Sequence, residues 1–210
     1  ELSLRHQAPP QIPSSTALDR LYYFNILAYL LLLTFVSSRF FYVMKRAQEA
    51  LYGMAHTDPL THLHNRRSLM VRIASEESRI RRMRRNLSFI MLDLDHFKSI
   101  NDRWGHHIGD AVLKEVSQSL TSCLREMDIA GRWGGEEFLI VMPDTDLGGA
   151  TLVAERVRAA TEALEIATPD NRKLPISLTI GVASVSPGES AQEAIARADA
   201  ALYEGKRSGR

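Results

Sequence analysis

Two pairs of carboxylates sit where carboxylates can do chemistry. Asp93 and Asp95 close the apolar run SFIMLDLD at 88–95. Residues two apart on a strand share a face, so both side chains point to one side of a sheet. A carboxylate ending a buried strand is costly unless something compensates it, and a divalent cation is one such partner. The alternative is that one of them caps the helix that follows. Glu136 and Glu137 form the second pair, directly after Gly134-Gly135. Glycines let a backbone turn sharply and let a phosphate approach its N–H groups, while adjacent carboxylates offer oxygen ligands to a hard metal. If that hairpin lies beside the Asp93 strand, the carboxylates converge at one edge of the sheet. Such a cluster suits magnesium-assisted phosphoryl or nucleotidyl transfer. Taken alone, a Gly-Gly-Glu-Glu turn fits a solvated hairpin equally well.

The remaining composition narrows the classes of function. The formal net charge of +1 is near balance, so nothing in the bulk electrostatics calls for a nucleic-acid polymer or a general attraction to acidic membranes. Any anionic ligand must be held by local groups. The single cysteine, Cys123, excludes an intramolecular disulfide and a thiolate zinc cluster, and reads as packing beside Leu120 and Leu124. Seven histidines are present, but neither the close pair His62 and His64 nor the adjacent His106 and His107 has the spacing of a helical zinc pair.

The elements that must position these residues follow from periodicity. Residues 1–20, with Pro9, Pro10, Pro13 and Ser14-Ser15-Thr16, read as an irregular segment. Residues 21–44 read as a transmembrane helix: Leu21 to Ser38 carries no charge, and Phe40 to Met44 resume the apolar run. Tyr22, Tyr23 and Tyr42 suit interfacial belts, and Arg39, Lys45 and Arg46 put the C-terminal side in the cytoplasm. A buried core helix or a dimer stalk is the alternative. Residues 45–56 read as a helical stalk, because Phe40, Met44, Ala47, Leu51 and Met54 recur at heptad spacing and predict a parallel homodimer; packing on its own domain is the other option.

Residues 57–210 alternate helical and strand-like pieces. The patterns predict helices at about 66–85, from 109, at 147–165 and at 190–207, and strands at 88–95, 138–142 and 176–185. A short segment at 128–133 pairs with 138–142 as a hairpin around the glycines. Helices interleaved with antiparallel strands give an α+β, or mixed α/β layer, fold. The chain begins at Glu1 rather than Met, so an upstream sensory region is expected to be able to precede it.

The segment GGEEF at 134–138 resembles the signature of the GGDEF family of diguanylate cyclases, with Glu in the third place. DPLTHLHNRR at 58–67, LDLDHFKSINDRWGHHIGD at 92–110, RWGGEEF at 132–138 and ALYEGKRSGR at 201–210 are similar to family motifs in the family's order. The resemblance covers residues 56–210. It implies a palm-like fold related to class III nucleotide cyclases and polymerases, with a central, mostly antiparallel sheet flanked by helices. It also implies condensation of two GTP molecules into cyclic di-GMP by 3′-hydroxyl attack on an α-phosphate, with pyrophosphate leaving.

Residue by residue, Asp93 resembles the family's metal ligand and the backbone carbonyl of Leu94 a second one. Glu136 matches the residue that binds metal and accepts the hydroxyl proton, and Glu137 assists at the metal. The implied cofactor is Mg²⁺, or Mn²⁺, two ions per active site. Lys98 matches the lysine that stabilises charge on the phosphates, Asn101 and Asp110 the pair that reads guanine, and His106 belongs to the same pocket. Lys206 and Arg210 resemble cations that touch the triphosphate, with a solvated helix face as the alternative. Because each domain of the family holds one GTP, two must face each other, and a homodimer follows.

Arg125 and Asp128 form an RxxD at the spacing from Gly134 that the family uses for an inhibitory product site, with Arg156 as a supplementary contact. A surface salt bridge is the alternative. The apolar helix and its flanking cations further predict attachment to the inner membrane, with the catalytic domain that follows in the cytoplasm. Against turnover stands a catalytically silent module that binds GTP or cyclic di-GMP and passes a signal. Retention of Asp93, Lys98, Asn101, Asp110, Glu136 and Glu137 favours an active enzyme.

Overall fold

The computed structural model describes residues 15–54, 56–83, 85–168 and 173–208, with the side chains of residues 15, 17, 47–54, 81 and 167 outside the described set. The chain divides into two units, Glu1–Met54 and Ala55–Arg210.

The described residues of the first unit form one helix, α1 (Ser15–Met54), of 40 residues. At 1.5 Å per residue such a helix is about 60 Å long. It starts at Ser15 rather than at residue 21, so the irregular reading of residues 1–20 extended too far. After Pro13 the sequence holds no helix breaker until Gly53, and Ala and Leu propagate the helix freely. Residues 1–14 lie outside the described residues. Within α1, Leu18–Arg46 is long and apolar enough to cross a membrane by length and composition, and none of it is buried. Tyr42 has the guanidinium groups of Arg39 and Arg46 at 5.8 and 5.1 Å from its ring centre, which gathers aromatic and cationic groups at one end of the apolar stretch. Phe40 and Met44 of the heptad stripe are exposed; the side chains of Ala47, Leu51 and Met54 lie outside the described residues.

The second unit is built from β1 (His64–Asn65), α2 (Arg66–Met83), β2 (Leu87–Leu94), α3 (Phe97–Trp104), α4 (His106–Ser122), β3 (Ile129–Arg132), β4 (Glu137–Pro143), α5 (Leu147–Glu162), β5 (Ile166–Ala167), β6 (Lys173–Leu174), β7 (Leu178–Ser184) and α6 (Ala191–Arg207). Five strands form one sheet in the order β1-β3-β4-β2-β7. Only β1 and β3 run parallel; the other neighbours are antiparallel. The expected mixed α/β architecture, a mostly antiparallel sheet between helices, is what forms.

Every residue of β2 is buried, which is why it reads as a continuous apolar run rather than an alternating one: helices cover both faces of the sheet. Ile90, Leu92, Phe138 and Ile140 pack on one face against Val112 and Val116 of α4 and Val153 and Val157 of α5. Phe89, Met91, Leu139 and Val141 pack on the other against Leu69 and Ile73 of α2 and Ala198 and Leu202 of α6. Period-two alternation thus assigns each side chain of the central strands to one core.

Three features escape sequence periodicity. The expected helix from about 109 begins at His106 and is preceded by a separate eight-residue helix, α3. The break falls at Gly105, whose φ of 81° is accessible to glycine without strain. The strands β1, β5 and β6 have two residues each, too few to carry a period.

Gly181 fixes how α6 lies on the sheet. A Cβ at this position would run into the Ala198 carbonyl oxygen and come within 2.5 Å of the Leu202 nitrogen. Both are backbone atoms, so no rotamer change relieves the clash. Gly181→Ala is expected to destabilise the second unit by about 1–3 kcal/mol, read as a lower urea midpoint with unchanged slope; an unaltered midpoint would show that α6 is not seated this tightly.

Candidate active site

The carboxylates are brought together by strand register. Asp93, the penultimate residue of β2, is the Cα partner of Glu137, which opens β4, and of Thr179 on β7. Asp93 shares its face with Met91, and Glu137 shares its face with Leu139, so both lie on the side covered by α2 and α6. Glu136 occupies the turn, and its carbonyl accepts a hydrogen bond from the Leu94 N–H at 3.3 Å. That bond ties the turn to the end of β2. Burial raises the pKa of Glu136 above the ordinary carboxylate value; the anions of Asp93 and Glu137 add to the rise, and Lys206 opposes it. The Asp93 side chain is 7% exposed and forms an ion pair of 2.7 Å from Oδ2 to the Nζ of Lys206 on α6.

Asp95 takes no part in this group. Its Oδ1 accepts from the Thr179 hydroxyl at 2.6 Å and its Oδ2 from Ser177 at 2.8 Å. Nor does either aspartate cap the following helix: the N-cap of α3 is His96, without a side-chain cap bond. The second aspartate instead ties β2 to the approach of β7.

The glycine turn is braced from outside. The Glu137 carbonyl accepts from the N–H groups of Trp133 and Gly134 at 2.8 and 3.2 Å. The Gly135 carbonyl accepts from Nε and Nη2 of Arg132 at 3.1 and 2.6 Å. The same guanidinium donates from Nη1 to Asp58 Oδ1 at 3.2 Å. Burial alone raises the pKa of Asp58, but hydrogen bonds from Thr61 and the charge of Arg132 outweigh it and hold the carboxyl below its ordinary value. Arg66 stacks on Trp133 at 4.4 Å from the ring centre. Gly134 and Gly135 do not use positive φ: among the described glycines only Gly105 and Gly188 do. A Cβ on Gly134 would strike Oε2 of Glu137, whereas one on Gly135 would meet nothing within 4 Å. Close approach thus applies to Gly134 alone, where the movable end of the Glu137 side chain comes near. Arg132 and Asp58 were visible only as members of longer motifs; a part-buried ion pair across 74 residues of sequence leaves no local signal.

The other candidates gather at the corner of α3 and α4. Only Asp95 and His96 separate β2 from α3, so this corner begins beside the carboxylates. Lys98 and Asn101 are three apart on α3, and His106 and Asp110 four apart on α4, spacings that share a helix face. The two faces meet where Asn101 packs on Gly109: a Cβ there would collide with Asn101 Oδ1. Asn101 is half-buried, while Lys98, His106 and Asp110 are exposed. Arg210 lies outside the described residues.

Among the described residues no three carboxylate, imidazole or thiol groups form a metal cage. The donor set is nevertheless of the right kind. Asp93, Glu136 and Glu137 are hard oxygen donors, and burial, with the neighbouring anions adding to it, raises the basicity of Glu136. Magnesium is typically held by one or two carboxylates together with substrate phosphates rather than by protein alone, which this arrangement fits.

Arg125 and Asp128 come together elsewhere. Asp128 Oδ2 accepts from the Arg125 backbone N–H at 2.9 Å, so the contact is a local turn, and no Arg125–Asp128 salt bridge forms among the described residues. Asp128 Oδ1 is buried without a hydrogen-bond partner. Both residues line a cavity of about 520 Å³ together with Thr57, His64 and Arg72. Burial and the charge of Arg72 lower the pKa of His64. Arg156 donates to the Cys123 carbonyl at 2.6 Å and is not among the lining residues.

Residues 55–210 match the family described as "Diguanylate cyclase, GGDEF domain". Diguanylate cyclase A of Treponema denticola is 40% identical over 164 residues, covering 76% of this chain and 44% of that protein. The response regulator PleD of Caulobacter vibrioides is 40% identical over 159 residues, covering 75% and 35%. The chain thus spans less than half the length of these relatives. Among solved structures, diguanylate cyclase SiaD in complex with its activator SiaC from Pseudomonas aeruginosa matches with a TM-score of 0.72 and 40% identity over 93% of this chain and 74% of that one. The GGDEF domain of DgcB from Caulobacter crescentus in complex with c-di-GMP matches with a TM-score of 0.72 and 33% identity over 74% and 92%. With a match over most of its length and relatives at this identity, the chain belongs to the GGDEF-domain family of diguanylate cyclases.

Proposed function

We propose that this chain condenses two GTP molecules into cyclic di-GMP and releases pyrophosphate. The observation that carries the reading is the registered pair Asp93 and Glu137, with Glu136 pinned beside them and its basicity raised. On this reading Asp93, the Leu94 carbonyl, Glu136 and Glu137 hold two Mg²⁺ or Mn²⁺ ions. The metal supplies Lewis-acid stabilisation of charge on the phosphates. Glu136 accepts the proton of the attacking 3′-hydroxyl, a task that favours a carboxylate more basic than usual. Lys98, Lys206 and Arg210 offset the triphosphate charge. Asn101 and Asp110 hydrogen-bond the guanine edge, where loss of either leaves buried polar groups unpaired, and His106 lines the same pocket.

A single site presents one GTP, so the bond requires a second site facing it and the working form is a homodimer. Residues 45–56 bring the copies together, and residues 21–44 span the inner membrane, leaving residues 57–210 as the catalytic domain in the cytoplasm. The exposed apolar surface of Leu18–Arg46 supports a bilayer partner. The cavity at Arg125 and Asp128 is the inhibitory site for cyclic di-GMP, with Arg156 reorienting to join it. The unpartnered Asp128 Oδ1 supports a ligand that donates hydrogen bonds there.

Residues 45–210 fused to a dimerising helix, stripped of nucleotide and given GTP with Mg²⁺, should form cyclic di-GMP. Glu136→Gln should bind GTP but lose on the order of 10²–10⁴ of the rate, the usual contribution of a general base. Undiminished product would remove Glu136 from the chemistry. GTP binding without product in the unmutated protein would favour the silent receptor. Arg125→Ala should keep its initial rate and continue past the product concentration at which the unmutated enzyme stalls; identical progress curves would refute the inhibitory site.

A further inference from the structure

Lys206 has a second relation to the site. Its Nζ lies 2.7 Å from Asp93 Oδ2, the side chains being 29% and 7% exposed. The lysine side chain is thus partly open to solvent, while that of the aspartate is nearly closed off. The end of α6 that carries it is seated by contact: a Cβ on Gly205 would come within 2.9 Å of Thr179 Cγ2. Thr179 is itself held by its hydroxyl bond to Asp95. The backbone of the lysine is fixed while its four-carbon stem is free to swing.

A buried carboxylate needs a cation or hydrogen-bond donors; Asp93 pairs with the Lys206 ammonium, and a divalent metal and an ammonium compete for the same oxygen. Both cannot stay, since like charges a few ångströms apart repel strongly in a partly desolvated site. We propose that Lys206 is an exchangeable counter-ion: its ammonium neutralises Asp93 until a divalent cation takes that carboxylate, then moves to the phosphates that arrive with the metal. The inference rests on Asp93 being a metal ligand. Its energetic consequence is coupling. Metal entering alone must break the ion pair and leave the ammonium only Glu136 nearby, a carboxylate that the same reading gives to the metal. Metal entering with a triphosphate gives the ammonium a new partner at once. Lys206 thereby makes the binding of metal and nucleotide mutually reinforcing.

Binding of Mn²⁺ followed by electron paramagnetic resonance tests this without turnover. In the absence of nucleotide, Lys206→Met should bind Mn²⁺ roughly fivefold or more tightly than the unmutated chain, the lower end of ordinary coupling factors. The gain in Mn²⁺ affinity on adding GTP should shrink by a similar factor. Lys206→Arg, which keeps the charge and grips a carboxylate through two N–H groups, should bind Mn²⁺ more weakly than the unmutated chain without nucleotide. This second variant decides the matter if the methionine variant does not fold. Unchanged Mn²⁺ affinity in both variants, or changes of the opposite sign, would overturn the exchange. Asp93→Asn separates the two levels. If it abolishes Mn²⁺ binding while the Lys206 variants match the unmutated chain, only the exchange fails; if it leaves Mn²⁺ binding unaltered, the metal reading of Asp93 fails and the exchange with it.

Discussion

A carboxylate at the buried end of the central strand sets the terms for everything around it. Asp93 sits on β2, which helices cover on both faces, and an ionised group in that position needs hydrogen-bond donors or a cation; at Asp93 the partner is a cation. The fold supplies one by bringing α6 down on β7 closely enough that Gly181 meets backbone and Gly205 meets Thr179. It also brings two further anions to the same edge, through the antiparallel register that opposes Asp93 to Glu137. A structure selected for stability alone would not crowd carboxylates in this way, so the crowding is evidence of chemistry.

Asp95 makes the contrast. It lies two residues further along, on the same face, and is as well buried as Asp93. Its oxygens are satisfied by the hydroxyls of Ser177 and Thr179, donors that leave the carboxylate nothing to offer a metal at those positions. Identical residue types at identical spacing thus divide into one group that fastens the sheet and one that remains available for exchange. The division comes from what the neighbouring strand presents.

That contrast marks the limit of what the sequence discloses. The apolar run at 88–95, the amphipathic helices and the glycine hairpin made the central strands and the longer helices legible. Glu136 and Glu137 stood out by type, but their meeting with Asp93 depends on a strand pairing across more than forty residues of chain. The fate of Asp95 depends on residues 82 and 84 positions away. The eight-residue α3 was hidden because only Phe97 and Ile100 of it are buried, too few to show a helical stripe. Arg132 and Asp58 were missed as individuals for the reason that hid Asp95: the partner is distant and the bond is only geometric.

The site combines fixed anions with movable cations. Asp93 and Glu137 belong to paired strands, and the turn carrying Glu136 is fastened by backbone bonds and by Arg132. Lys206 and the exposed Lys98 sit on long stems at helix positions beside them. A reaction that takes in a triphosphate and lets pyrophosphate leave shifts its negative charge by several ångströms between steps. Rigid carboxylates keep the oxygen ligands where charge must be organised, and flexible ammonium groups can follow the phosphate as it departs. Arginine in place of Lys206 would hold Asp93 with two bonds rather than one, which makes lysine the better choice where the partner has to change.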